Sequence, residues 1–138
     1  VGMSFTLREH TADVAVEATG TDLGEVFGHT GDGLTAAHSD AIPADVGERF
    51  PVVAHAESKE ALLFEYLDEL IYQRDVRSVL PADHEARVHW NGEWVLEGSA
   101  RGVPFDAVDA REIKAVTYSE MELEETVDGW RAYVVFDV

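Results

Sequence analysis

The chain contains no cysteine, which excludes disulfides, thiolate-bound zinc and cysteine nucleophiles and is compatible with a reducing cytosol. It is also short of positive charge. Ten Lys and Arg stand against 28 Asp and Glu, for a formal net charge of -18, and lysine occurs only at Lys59 and Lys114. A protein that neutralises phosphates without sequence preference needs clustered cations; here they are scattered, so nonspecific nucleic-acid binding is not expected. The acidity reads as a solvated, self-repelling surface or as a face that docks a basic partner. No stretch approaches the roughly 18 uninterrupted apolar residues of a membrane span. The opening VGMSFTLREH lacks the basic start and apolar run of a secretory signal. A soluble cytoplasmic protein with no membrane partner is the expectation. Proline- or serine-rich linkers, low-complexity runs and solenoid-type repeats are missing too, so residues 1–138 are expected to form one domain. A chain of 138 residues can bury roughly 70% of its unfolded surface without a staple.

Several catalytic signatures are absent as well. The histidines at 10, 29, 38, 55, 84 and 89 include no HExxH or other recognised metal spacing, and each reads as surface or packed. Ser4, Ser39, Ser58, Ser78, Ser99 and Ser119 lack the GxSxG elbow that presents a nucleophile. FGHTGDGL is rich in glycine, but no Gly-Lys-Ser/Thr follows it to meet phosphates, so helix packing explains these glycines better than a nucleotide loop.

What is present reads as α+β. Strands are expected at Phe5 to Arg8 and Asp13 to Thr19, the second alternating Val14, Val16 and Ala18 against Ala15, Glu17 and Thr19. After Gly20, Asp22 can cap a helix with Glu25 three residues on. Leu23, Val26, Phe27, Thr30, Leu34 and Ala37 share one face of that helix. Gly24, Gly28, Gly31 and Gly33 each cost about 1 kcal/mol there relative to Ala, and Gly31-Asp32-Gly33 is a candidate break. A strand near Arg49 to His55 precedes ESKEALLFEYLDELIYQRD, the strongest helix, with an apolar stripe of Leu62, Leu63, Tyr66, Leu67, Leu70 and Ile71. Further strands are expected at Val76 to Leu80, Ala86 to Trp90, Trp94 to Ala100, Ile113 to Tyr118, Met121 to Glu125 and Trp130 to Val138. Turns are signalled at Asn91 to Glu93 and at Asp128-Gly129. Two main helices among mostly antiparallel strands make a single compact α+β domain.

Among many carboxylates, two are set apart by their surroundings. Asp13 stands at a strand entry among small and apolar residues, and Asp137 sits inside the apolar run Tyr133 to Val138, on the face opposite Ala132, Val134 and Phe136. A buried carboxylate must be hydrogen-bonded, paired or bound to a metal. In the plain structural reading, Asp13 bonds to backbone amides and Asp137 is a solvated terminal residue. If the two converge, a cation relieves their repulsion. Oxygen donors without thiolate select a hard ion, Ca2+, Mg2+ or Mn2+, and Val138 would add a backbone carbonyl or, at a native chain end, its carboxylate. Lys114, in EIKAVTY, is expected to pair with an acidic neighbour at the sheet surface. Its choice over arginine, which this chain prefers, suggests a use for a compact, flexible ammonium.

Three stretches together, HTADVAVEATG at 10 to 20, EIKAVTY at 112 to 118 and GWRAYVVFDV at 129 to 138, resemble the archease family across essentially the whole chain. The resemblance implies a non-catalytic cofactor protein of the RNA ligase that seals exon halves of split tRNA. Such a protein promotes guanylylation of the ligase, in which the ligase takes GMP from GTP, and so its multiple turnover; it can also broaden nucleotide use. Asp13, Asp137 and Val138 match the positions of the family's metal site, where calcium is the usual ion. Lys114 matches the lysine of the family's KAVTY-like segment. The chain departs from the family at Arg111 and Ser119, where members often carry histidine, and in its glycine-rich, acidic first helix. Two other readings stay open: an independent metal-dependent phosphohydrolase using Asp13 and Asp137, and a metal-free binding module.

Overall fold

A computed structural model describes residues 5–9 and 13–138. Ser4, His10 and the residues Thr11 and Ala12 of the HTAD stretch lie outside the described residues. The elements run β1 (Phe5–Glu9), β2 (Asp13–Gly20), α1 (Leu23–His38), β3 (Glu48–Ala56), α2 (Lys59–Arg77), β4 (Val79–Trp90), β5 (Trp94–Pro104), β6 (Ala115–Thr126) and β7 (Gly129–Asp137), with a 3-10 turn at Phe105–Ala107. They form a four-stranded sheet ordered β1-β2-β7-β6 and a three-stranded sheet ordered β3-β5-β4, and the paired strands are antiparallel. Each helix bridges the sheets. α1 lies against β2 and β4, and α2 against β3 and β6. One apolar cluster joins Val14 and Val16 of β2, Val134 and Phe136 of β7, Leu96 of β5 and the stripe of α2. The α+β reading of the sequence is therefore the observed one.

The local signals explain most boundaries. Asp22 caps α1 by accepting from Glu25 N at 2.8 Å, while Glu25 Oε1 reaches back to Thr21 N at 2.7 Å. Ser58 caps α2 by accepting from Ala61 N at 3.1 Å. Side-chain oxygens at these positions satisfy amides that have no partner inside the helix. The six apolar stripe residues of α2 are all buried.

Three expectations need correction. α1 does not break at Gly31-Asp32-Gly33 but runs unbroken to His38, because Gly28, Gly31 and Gly33 are buried against neighbouring elements and packing offsets their poor propensity. Val76 and Arg77 form the last turn of α2 rather than a strand. Ser78 then stops the helix in the left-handed region (φ 55), its N–H donating to Arg74 O, and β4 begins at Val79 and runs through to Trp90, taking in the separate strand expected at Ala86 to Trp90. The two strands expected at Ile113 to Tyr118 and Met121 to Glu125 are one, β6, which starts only at Ala115. Between Thr117↔Val135 and Glu122↔Tyr133 its register shifts; Glu120 at φ 64 lies in this bulge.

Two histidines are built into the interior. His84, at the β4 irregularity between Ala82 and Glu85, gives its backbone N–H to Asp32 Oδ1 (3.1 Å), and its Nε2 lies 2.8 Å from the Thr35 hydroxyl. That hydroxyl donates to Pro81 O at 2.7 Å, which leaves it to accept from an Nε2–H. His38 Nδ1 donates to Leu34 O at 2.9 Å, and its Nε2 accepts from Arg74 Nη1 at 3.1 Å. Burial is the main force that pushes both imidazoles down to about 4. Arg74 and Arg111 reinforce it at His38, while the Leu34 bond opposes; Arg49 reinforces it at His84, while the Pro81 contact opposes. The unfolded chain, with imidazoles near 6.5, takes up protons first as pH falls. Stability from the neutral histidines is complete above about 6.5 and is lost as pH drops toward 4. Denaturant midpoints should therefore fall already between about pH 6.5 and 5, above the ordinary carboxylate range, and a His84→Gln variant should show a shallower decline. A wild-type midpoint flat over that interval would contradict the burial argument.

Candidate metal and partner site

The first residue of β2 and the last of β7 are register partners: Asp13 lies directly opposite Asp137. Directly opposed residues share a face, with Cβ atoms about 4.5–5.5 Å apart, and like charges there are destabilising. The next pair along that face is Ala15↔Val135, and both are buried. The carboxylates therefore border apolar surface, where their repulsion is less screened than in water. Asp13 is half-buried with its Oδ1 shielded from solvent, and Asp137 is exposed. Farther along the face the arrangement is different. Arg131 meets Glu17 at 2.6 Å, Glu122 at 2.7 Å and Glu124 at 3.1 Å, so acids there gather around a cation of the chain itself.

Val138 follows directly, half-buried against the core. The third strand of this sheet end is β6, where Ala115 pairs with Asp137 and the Lys114 N–H donates to Asp137 O at 2.8 Å. The structure thus brings Asp13, Asp137, Val138 and Lys114 to one end of one sheet. The ion pair expected of Lys114 is not present among the described residues; its side chain is exposed. No third His, Asp or Glu converges with the two carboxylates among the described residues. The donors on hand are all oxygen, which suits a hard divalent ion and not a thiophilic one.

Of two positioning residues, Arg111 was noted in the sequence only as a departure from the family, and Arg74 was not singled out. Segment 111–114 leads into β6, and it is tied down by Arg111 N donating to His38 O (2.7 Å), Arg111 Nε donating to Ala37 O (3.0 Å) and Arg74 Nη1 donating to Ile113 O. Arg74 interrupts an otherwise apolar stripe on α2 and is itself buried. That interruption was the available signal.

The fold and site define a small two-sheet α+β protein whose N- and C-terminal parts meet at an acidic strand end. The model of the Archease protein family matches residues 5–138. The chain is 30% identical to the protein archease of Pyrococcus furiosus over 135 residues, covering 94% of this chain and 95% of that protein. It is similar to the solution structure of protein 1598 of Methanobacterium thermoautotrophicum (TM-score 0.87, 26% identity, 99% and 100% of the two chains). It is also similar to the crystal structure of an archease, described as a possible chaperone, from Thermotoga maritima (TM-score 0.67, 26% identity, 95% and 94%). The chain belongs to the archease family. No helix among the described residues is long and apolar enough to cross a membrane.

Proposed function

We propose that this chain activates the RNA ligase of tRNA splicing, promoting its guanylylation and multiple turnover, and that a hard divalent cation, calcium first among candidates, belongs to that activity. The observation that carries this reading is the Asp13↔Asp137 register pair in a member of the archease family. In it, Asp13 and Asp137 hold the cation and a Val138 backbone oxygen completes the protein's share of the ligands. When bound, the cation supplies positive charge that can neutralise phosphate or organise a partner's surface. Asp137 links the parts of the site: its side chain serves the cation while its carbonyl accepts the Lys114 N–H. The Lys114 ammonium, exposed at the same sheet end, is a point charge with three donors on a flexible stem. It can meet an anionic group of the ligase or its nucleotide. The chain itself makes and breaks no bond, and its role is to position and to balance charge.

The test is single-turnover guanylylation of the cognate ligase with GTP, with and without this protein. Acceleration at stoichiometric amounts is expected, and Lys114→Met should reduce it by about 10-fold or more if the ammonium meets developing charge. An unchanged rate on adding the wild-type protein would reject the activator role. Nucleotide or phosphoester turnover by the purified protein without any ligase would favour a phosphohydrolase instead.

A further inference from the structure

All three tryptophans of the chain gather at the sheet end opposite the carboxylates. Trp90 and Trp94 are register partners flanking the β4–β5 turn, with ring centroids 5.4 Å apart in an edge-on arrangement. Trp130 opens β7. Between them stands Lys59, the first residue of α2, with its Nζ 5.3 Å from the Trp94 centroid and 5.2 Å from that of Trp130. Trp130 and Asp137 are seven residues apart on one strand, roughly 23 Å at about 3.3 Å per residue. This is a separate surface from the carboxylate site.

Core sealing accounts for only part of the cluster. Trp94 and Trp130 pack against the main apolar cluster, whereas Trp90 is 56% exposed and overhangs it. Lys59 is also oddly placed, because a cation at the first turn of a helix opposes the macrodipole. Two indole faces offset that cost, and the ammonium between them shows what this aromatic cluster accepts. Among the described residues no cation lies over Trp90. The loops, strand ends and first turn of α2 around the rings carry Glu57, Glu60, Glu93, Glu125 and Asp128, all exposed, and Val127 at the neighbouring hairpin tip is 99% exposed. Aromatic faces, one bare apolar tip and a rim of acids are complementary to a cationic side chain with an aliphatic stem, not to a polyanion.

We propose that this end of the molecule docks an arginine- or lysine-bearing segment of a basic protein partner, with the exposed Trp90 indole taking the cation's face and the acidic rim steering its approach. The proposal does not depend on the metal site or on the ligase reading.

The three indole N–H signals of the full chain, followed by NMR, test it. The probes are a short Arg-Gly repeat peptide, its Glu-Gly counterpart and a single-stranded RNA oligonucleotide. The Trp90 signal should shift saturably with the Arg-Gly peptide alone. Trp90→Ala should weaken that binding by roughly 5- to 30-fold, and Trp90→Phe should recover part of the loss. The Trp94 signal moves in the alanine variant simply because the neighbouring ring is gone, so an unchanged Trp130 signal reports the intact fold; if that signal moves, the Trp90→Phe comparison decides. Equal peptide affinity in wild type and both variants would overturn the proposal, since the net charge alone would then account for binding. A response to RNA and not to the peptide would overturn it equally.

Discussion

Asp13→Ala and Asp137→Ala are each expected to weaken calcium binding by at least about tenfold while leaving the protein folded. Loss of a group that merely supports a metal ligand typically costs about 10–100-fold in affinity, and removal of a ligand should cost no less. The fold survives because Asp137 is exposed and Asp13 only half-buried, while the strand pairing that joins them rests on backbone bonds and on buried Val14, Val16, Val134 and Phe136. The two carboxylates face each other in register, so in chelator Asp137→Ala also loses a repulsion of up to about 1 kcal/mol and should melt no lower than wild type. With calcium at a hundredfold excess over its dissociation constant the wild type gains about 2.7 kcal/mol, and the variants gain little. The order of wild type and Asp137→Ala therefore reverses between chelator and calcium. Calorimetric titrations with normal affinity in both variants, or melting curves that keep one order in both buffers, would reject the site.

Much of this architecture is legible in the sequence because local pattern and tertiary demand agree. The stripe from Leu62 to Ile71 is the buried face of α2, and the alternations of β2 and β7 divide core from outer face except that Ala15 and Val135, on the outer face, are buried as well. Asp22 announces the start of α1. Where the reading slipped, the deciding contact was distant or the usual punctuation was missing. No glycine marks the end of α2: Ser78 takes the left-handed conformation, and Val76, Val79 and Leu80 continue without an interruption in composition. The bulge in β6 splits a period-two pattern in two and makes one strand look like a pair. Asp13 and Asp137 were conspicuous by their settings, but no periodicity states that β2 pairs with β7 across nearly the whole chain. Their meeting was expected from the family resemblance, and the register supplies the physical content. Trp90 and Trp94 flank the turn that Asn91 to Glu93 signals, but the arrival of Trp130 beside them had no local signal, since it depends on two sheets and the start of α2 coming together.

The glycines of α1 give the sharpest stability contrast. Gly24→Ala is expected to destabilise the protein by about 1–2 kcal/mol, whereas Gly28→Ala, one helical turn later, should be neutral or stabilise it by up to about 1 kcal/mol. Alanine improves helix propensity by at most about 1 kcal/mol at either position, so the sign depends on what the new methyl group meets. At Gly24 it would stand 2.5 Å from the Ala86 carbonyl oxygen of β4 and 3.4 Å from Arg87 Cα. Those are backbone atoms that cannot rotate away, and forced overpacking costs roughly 1–3 kcal/mol. At Gly28 the nearest atom is the His84 carbonyl oxygen at 3.4 Å, an ordinary contact. Urea midpoints of the two variants at neutral pH, where both buried histidines are uncharged, read the difference directly. Equal losses at both positions would mean that close approach to β4 does not explain why this helix carries glycine, and the seating of α1 between the two sheets would have to be reconsidered.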